Sequence, residues 1–281
     1  MQQRTRLTGS ALVMAATLLM SASSAQPQSA YEPSWPDLRS ELYGDRYIAV
    51  TEKVVQLDAP YRTDDDARTD VTVRLNAPQN GRIASVSLIL DENPMPVSAQ
   101  LSFAEPVARF DFTATMRING PTPVHAVAEL ENGQLFMAEG FVKTSGQGAC
   151  AAPPGTDPEL ALKTLGQMEL VLKGQSGTTA LISQVTNGAP RDLGLEVAIN
   201  HPSHSGMQMD QVSLLYIPAR YVDTLDLKVN GAPFATLTGS ISLSENPTVT
   251  VSVPPGTNHV KARMIDTDGT VSEVERSFAD Y

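Results

Sequence analysis

The chain has 281 residues and is acidic, with 20 Lys plus Arg against 31 Asp plus Glu and a formal net charge of −11. An acidic chain without a basic cluster is not built to grip nucleic acid or an anionic membrane surface. Aromatic residues are sparse at 5%, whereas Val, Thr, Ser and Leu are plentiful, a composition that leans towards β-sheet.

Residues 1–25 read as a secretory signal. Arg4 and Arg6 precede the apolar run 11–20, and Ser21-Ala-Ser-Ser-Ala25 supplies small residues suited to cleavage after Ala25. The run is too short to span a bilayer. No later stretch is long and apolar enough for a membrane helix, so the expected localisation is periplasmic, with no membrane partner. Loss of residues 1–25 removes two arginines and no acid, moving the charge from −11 to −13. About 255 residues remain, enough for one large core or two ordinary ones.

Residues 26–45 are predicted to be a polar leader followed by a short helix. Ser34 is placed to cap it, Pro36 is tolerated in the first turn and Gly44 suits the end. Trp35, Leu38 and Leu42 share one face, which is expected to dock on a larger body.

From 46 to 143 the pattern is that of strands: 71–75, 83–90, 97–103, 108–116, 124–130 and 134–142. Glu131-Asn-Gly133 marks a hairpin between the last two. Short strands at this spacing suggest an Ig-like sandwich.

Residues 144–163 break the pattern and form the predicted linker. They hold Cys150, the only cysteine in the chain, within Ser145-Gly-Gln-Gly-Ala-Cys150-Ala-Ala-Pro-Pro-Gly155. Gly146, Gly148 and Gly155 are expected to give this arm its freedom, and the small flanking alanines to leave the sulfur uncovered. The stretch 158–163 suits a brief helical turn.

Strands resume within 164–281, at 168–172, 180–184, 195–199, 224–229, 249–253, 260–265 and 270–274, with tight turns at Asn230-Gly231 and Asp268-Gly269. The prediction is therefore all-β, with two tandem Ig-like β-sandwich domains and a short N-terminal helix. The halves echo each other, since Glu92-Asn-Pro94 and Glu245-Asn-Pro247 both sit between strands.

Three chemistries compete. His201 and His204, with Met207 and Met209 behind them, offer soft donors for copper in an exported protein. Their Pro and Ser-Gly context makes a loop in which this spacing fixes no common face, so no metal site is assigned. Hydrolase motifs are missing, and Asp64-Asp-Asp66 reads as a solvated loop. A cysteine enzyme needs a base to activate its thiol and a cleft to hold substrate, and the arm brings neither. No Lys, Arg or His lies within six residues of Cys150. The thiol is therefore expected to keep an ordinary pKa of about 8.5 and to react inside a partner's active site. An inert structural cysteine stays open as the alternative.

Ordered motifs add a family resemblance. His201-Pro-Ser-His-Ser-Gly-Met-Gln-Met-Asp210, Tyr216-Ile-Pro-Ala-Arg-Tyr-Val222, Asn230-Gly231 and Ser242-Leu-Ser-Glu-Asn-Pro247 resemble SoxZ of the sulfur-oxidation carrier. Glu92-Asn-Pro94-x-Pro96 and a glycine-flanked cysteine after the last strand resemble SoxY. Residues 35–281 together are similar to the fused, quinoprotein dehydrogenase-associated SoxYZ-like carriers, to which Trp35-Pro-Asp-Leu-Arg39 and Ala59-Pro-Tyr-Arg62 also conform.

The resemblance implies a non-catalytic periplasmic carrier without cofactor. Cys150 would hold a sulfur intermediate for partner oxidoreductases or hydrolases, with His201 and Asn246 as scaffold. It also brings in a quinoprotein dehydrogenase system as a candidate partner; the runner-up function is an accessory binding module of that system. A fused chain is expected to be a monomer, with a disulfide dimer through an exposed Cys150 on storage. One departure stands out: the SoxY cysteine lies on a free C-terminal tail, whereas Cys150 is mid-chain. Seven residues from Lys143 give a reach of at most roughly 25 Å, and the arm must enter a partner as a folded-back loop.

Overall fold

The computed structural model describes residues 34–146, 148–151, 155, 157–174 and 192–278. The predicted signal 1–25, the leader as far as Pro33 and the predicted strand 180–184 lie outside the described residues. The helix α1, Trp35–Tyr43, is followed by β1 (Ile48–Val50), β2 (Val55–Asp58), β3 (Thr69–Asn76), β4 (Ile83–Leu90), β5 (Val97–Val107), β6 (Arg109–Met116), β7 (Thr122–Leu130) and β8 (Leu135–Val142). After the arm come α2 (Pro158–Thr164), β9 (Met168–Lys173), β10 (Leu193–Ile199), β11 (Val222–Val229), β12 (Ala232–Thr238), β13 (Thr248–Val253), β14 (His259–Asp266) and β15 (Val271–Ser277).

The strands form two sheets, one of nine in the order β1-β8-β7-β4-β5-β12-β11-β14-β15 and one of six in the order β2-β3-β6-β13-β10-β9. Every neighbouring pair is antiparallel except β1 with β8. The all-β prediction and the N-terminal helix hold. What sequence periodicity did not reveal is that both sheets run without a break from one half of the chain into the other. β5 pairs with β12 in the register Phe103↔Ala235 to Gln100↔Thr238, and β6 pairs with β13 from Phe112↔Val251 to Ala114↔Val249.

The core lies between the sheets and follows from alternation. Val71, Val73 and Leu75 of β3 point in while Asp70, Arg74 and Asn76 face out. Leu195, Val197 and Ile199 do the same on β10. Each such side chain removed from water contributes about 1.5–3 kcal/mol. A single apolar cluster joins residues of both halves, from Val54 to Met264.

A second, smaller cluster covers the other face of the nine-stranded sheet. Ile89 and Val127 are buried there with Ile48, Leu135 and Met137 under Trp35, Leu38 and Tyr43 of α1. The Trp35 ring stacks on His125 at 3.8 Å between centroids. Two details depart from expectation. Leu42 is exposed and Tyr43 takes its place against the sheet, because the helix turns a different edge of its apolar stripe inward. Ser34 makes no side-chain cap; its hydroxyl donates to Glu92 Oε1 at 2.6 Å.

Candidate functional site

The site is built where the two halves meet, at the ends of β6 and β13. Beyond β6, Arg117 donates its backbone N–H to the Ser242 carbonyl at 2.6 Å and its guanidinium Nη1 to the carbonyls of Ile241 (2.7 Å) and Leu243 (3.3 Å). Asn93, in the Glu92-Asn-Pro94 turn, braces the same segment. Its amide donates to the Arg117 carbonyl and to Ser242 Oγ, both at 2.8 Å, and its oxygen accepts the Asn119 N–H at 2.9 Å.

The second half offers a matching brace. Asn246, of the Glu245-Asn-Pro247 turn, accepts the His201 N–H at 3.0 Å and donates its own N–H to the His201 carbonyl at 2.8 Å. Asn246 sits at φ +45, in the left-handed region where a short polar side chain is tolerated. The echo seen in sequence is thus a pair of asparagines, each pinning a loop that approaches the arm.

Cys150 lies between these two loops. Its N–H donates to Asn119 Oδ1 at 3.2 Å, and its carbonyl accepts from the Ser205 hydroxyl. The side chain is 0% exposed, so the expectation of an uncovered sulfur on a free tether is corrected. Ala149 is buried beside it, and the 201–208 loop of the other half reaches the arm through Ser205. The disulfide dimer expected of an exposed thiol loses its basis in this conformation.

The arm is tied at its ends as well. The Ser145 N–H and hydroxyl donate to the Asp66 carboxylate, and the Gly155 N–H donates to Glu245 Oε2 at 2.7 Å. Asp66, read from sequence as solvated, is therefore an anchor. Gly146 and Gly148 adopt φ +87 and +73, and the Ala151 N–H closes a turn onto the Gly148 carbonyl at 3.0 Å. These glycines bend the chain into its seat. The turn predicted after Gly155 is α2, whose cap is Asp157, accepting from the Glu159 and Leu160 N–H groups.

Burial pushes the Cys150 thiol from its ordinary value near 9 up to about 11, against the opposing pull of the Arg117 guanidinium. At neutral pH only about one thiol in ten thousand is then thiolate. Arg117 is itself 2% exposed, and burial lowers its pKa against the attraction of Cys150 and Glu245. Among the described residues no carboxylate stands within ion-pair distance of this guanidinium. Sequence reading missed Arg117, Asn119 and Ser205, since none lies near Cys150 along the chain. The Asn-Pro echo was the one signal that pointed to their loops.

The two histidines face other partners. His201 is buried; its Nδ1 accepts the Ser203 N–H at 2.9 Å, so Nε2 donates to Asp266 at 3.4 Å, and burial lowers its pKa to about 4. His204 Nδ1 lies 3.1 Å from Gln208 Oε1, and burial lowers its pKa also. Asp266 is held in turn by Arg220 at 2.8 Å. Among the described residues no three His, Cys, Asp or Glu side chains group as a metal would need. Nor is any helix there long and apolar enough to cross a membrane.

Comparison with known proteins fits this division of the chain. The family described as "Sulfur oxidation protein SoxY" matches residues 39–150, ending on Cys150, and that described as "Sulphur oxidation protein SoxZ" matches residues 185–277. No curated protein matches the chain in sequence. Among solved structures, the sulfur carrier protein SoxY from Chlorobium limicola f thiosulfatophilum is 21% identical, covering 40% of this chain and 96% of that one with a TM-score of 0.35. A superoxide reductase (neelaredoxin) from Ignicoccus hospitalis is 16% identical, covering 35% and 95% with a TM-score of 0.29. Family membership rests on the two tandem sequence matches, which between them take in both loops that hold Cys150: the chain is a fused SoxYZ-like protein.

Proposed function

We propose that this protein is a non-catalytic carrier that holds a sulfur-containing intermediate covalently on Cys150 while partner enzymes load, oxidise or release it. The observation that carries this reading is that the SoxY match ends on the only cysteine of the chain, the residue that loops from both halves hold. The electrostatics favour a passenger site over a resident nucleophile. A nucleophile needs a base or a lowered pKa, and burial moves this thiol the other way. Residues 1–25 support a periplasmic setting, and the partners are then periplasmic oxidoreductases or hydrolases. A quinoprotein dehydrogenase system joins them on the strength of the family resemblance.

The intact mass of protein purified from its native host tests the reading. An adduct of one or more sulfur atoms, or of thiosulfate size, should be present, be lost on reduction and be missing from Cys150→Ser. Unmodified protein during growth on reduced sulfur compounds, or an adduct that persists in Cys150→Ser, would remove Cys150 from the carrier role.

A further inference from the structure

A carrier thiol must reach the active sites of other proteins, yet Cys150 is completely covered. The cover is slight. Of the described arm residues beyond Thr144, only Ala149 and Cys150 are buried; Ser145, Gly146, Ala151, Gly155 and Asp157 are exposed. Among the described residues these two small side chains give little apolar burial, and the arm is held by hydrogen bonds of Ser145 to Asp66, Cys150 to Asn119 and Ser205, and Gly155 to Glu245.

The closed arrangement also carries costs. Thr144, at the base of the arm, is 6% exposed, and among the described residues its hydroxyl has no hydrogen-bond partner. Arg117 is desolvated without a carboxylate at ion-pair distance among the described residues. A contact held mainly by individual hydrogen bonds among the described residues, and opposed by such costs, can open without unfolding the body.

We propose that this seat is a latch in which Asn119 from the first half and Ser205 from the second act as positioning residues, holding an empty arm closed over its own thiol so that only the undocked arm reacts. The inference builds on the carrier reading and gives the second half a task beyond scaffolding. Its loop hides the thiol between loading events. In an oxidising compartment an exposed thiolate is the species open to peroxide and stray disulfides. A docked Cys150 is neither exposed nor ionised at neutral pH, so the latch would spare the empty carrier. A partner enzyme would have to meet the arm after the Ser205 and Asn119 bonds are broken.

The test needs no cargo and no partner, so it can fail while the carrier reading stands, and the reverse. Alkylation of Cys150 by iodoacetamide at pH 8 is followed by intact mass for the full chain, for the same chain unfolded in urea, and for Ser205→Ala, Asn119→Ala and Asp66→Asn. The last variant loosens the tie at Ser145 without touching the thiol's surroundings, and urea midpoints establish which variants stay folded. The wild type should label at least about a hundredfold more slowly than the unfolded chain. Each folded variant should label several-fold to about tenfold faster than the wild type, as loss of one such hydrogen bond implies. A purely structural role would shift the urea midpoint and leave labelling of the folded protein unchanged. Labelling of the wild type at the rate of the unfolded chain, or no acceleration in any folded variant, overturns the latch.

Discussion

Cys150 has two chemistries, one for each position of its arm. In the seat its pKa stands near 11; free, it returns towards the ordinary value near 9. The protonated thiol is therefore the form that the seat accepts. Closure is at full strength below about pH 9 and weakens as pH rises towards 11, by at most about a hundredfold. We predict that the labelling rate of folded protein, divided by that of the unfolded chain at the same pH, is flat up to about pH 8.5 and climbs above it. A ratio that stays flat to pH 10.5 would refute a seat that discriminates against thiolate. That Cys150 is a single cysteine among small residues was legible from composition alone. Its burial was not, because the side chains that hold its backbone, Asn119 and Ser205, come from distant parts of the chain, and a local sequence window holds no trace of them.

At the level of elements, strands with clean alternation such as β3, β6 and β14 were readable from residue pattern. Three strands escaped notice, the short β1 and β2 and also β12, Ala232–Thr238, which begins Ala-Pro and carries small residues where a strand would show Val or Ile. β12 joins one of the two sheets across the halves, through β5. Its end is crowded: a Cβ on Gly239 would lie 2.3 Å from the Val222 carbonyl oxygen and 2.6 Å from Leu243 Cδ1. Gly239 leads directly into Ser240–Leu243, whose carbonyls receive Arg117. Gly239→Ala should therefore cost about 1–3 kcal/mol of stability and also disturb the floor of the seat. Urea unfolding would show the first effect and faster labelling of Cys150 the second. A variant with an unchanged midpoint would mean that the strand end moves aside freely.

Over the whole molecule, sheets and core cross the boundary between the SoxY-like and SoxZ-like halves, so the halves have no independent core to fall back on. Long-range pairing of this kind leaves no periodic mark, since β5 and β12 each look like ordinary strands wherever their partner lies. We predict one cooperative unfolding transition. Fluorescence of Trp35, the only tryptophan and located in the first half, should follow the same urea curve as the far-UV signal of the entire chain. Two separated midpoints would show that the halves unfold independently.

The pairing of β5 with β12 and of β6 with β13 has a consequence for the arm. The peptide link through residues 144–157 is not what keeps the halves together, so cutting it just beyond Ala151 should leave a nicked but intact body. Cys150 would then sit one residue from a new carboxyl terminus, on a free tail like that of SoxY, able to thread an opening that admits one strand but not two. Fusion into a single chain thus fixes the geometry of delivery more than the assembly of the carrier, and a single proteolytic event would exchange a loop-bearing carrier for a tail-bearing one.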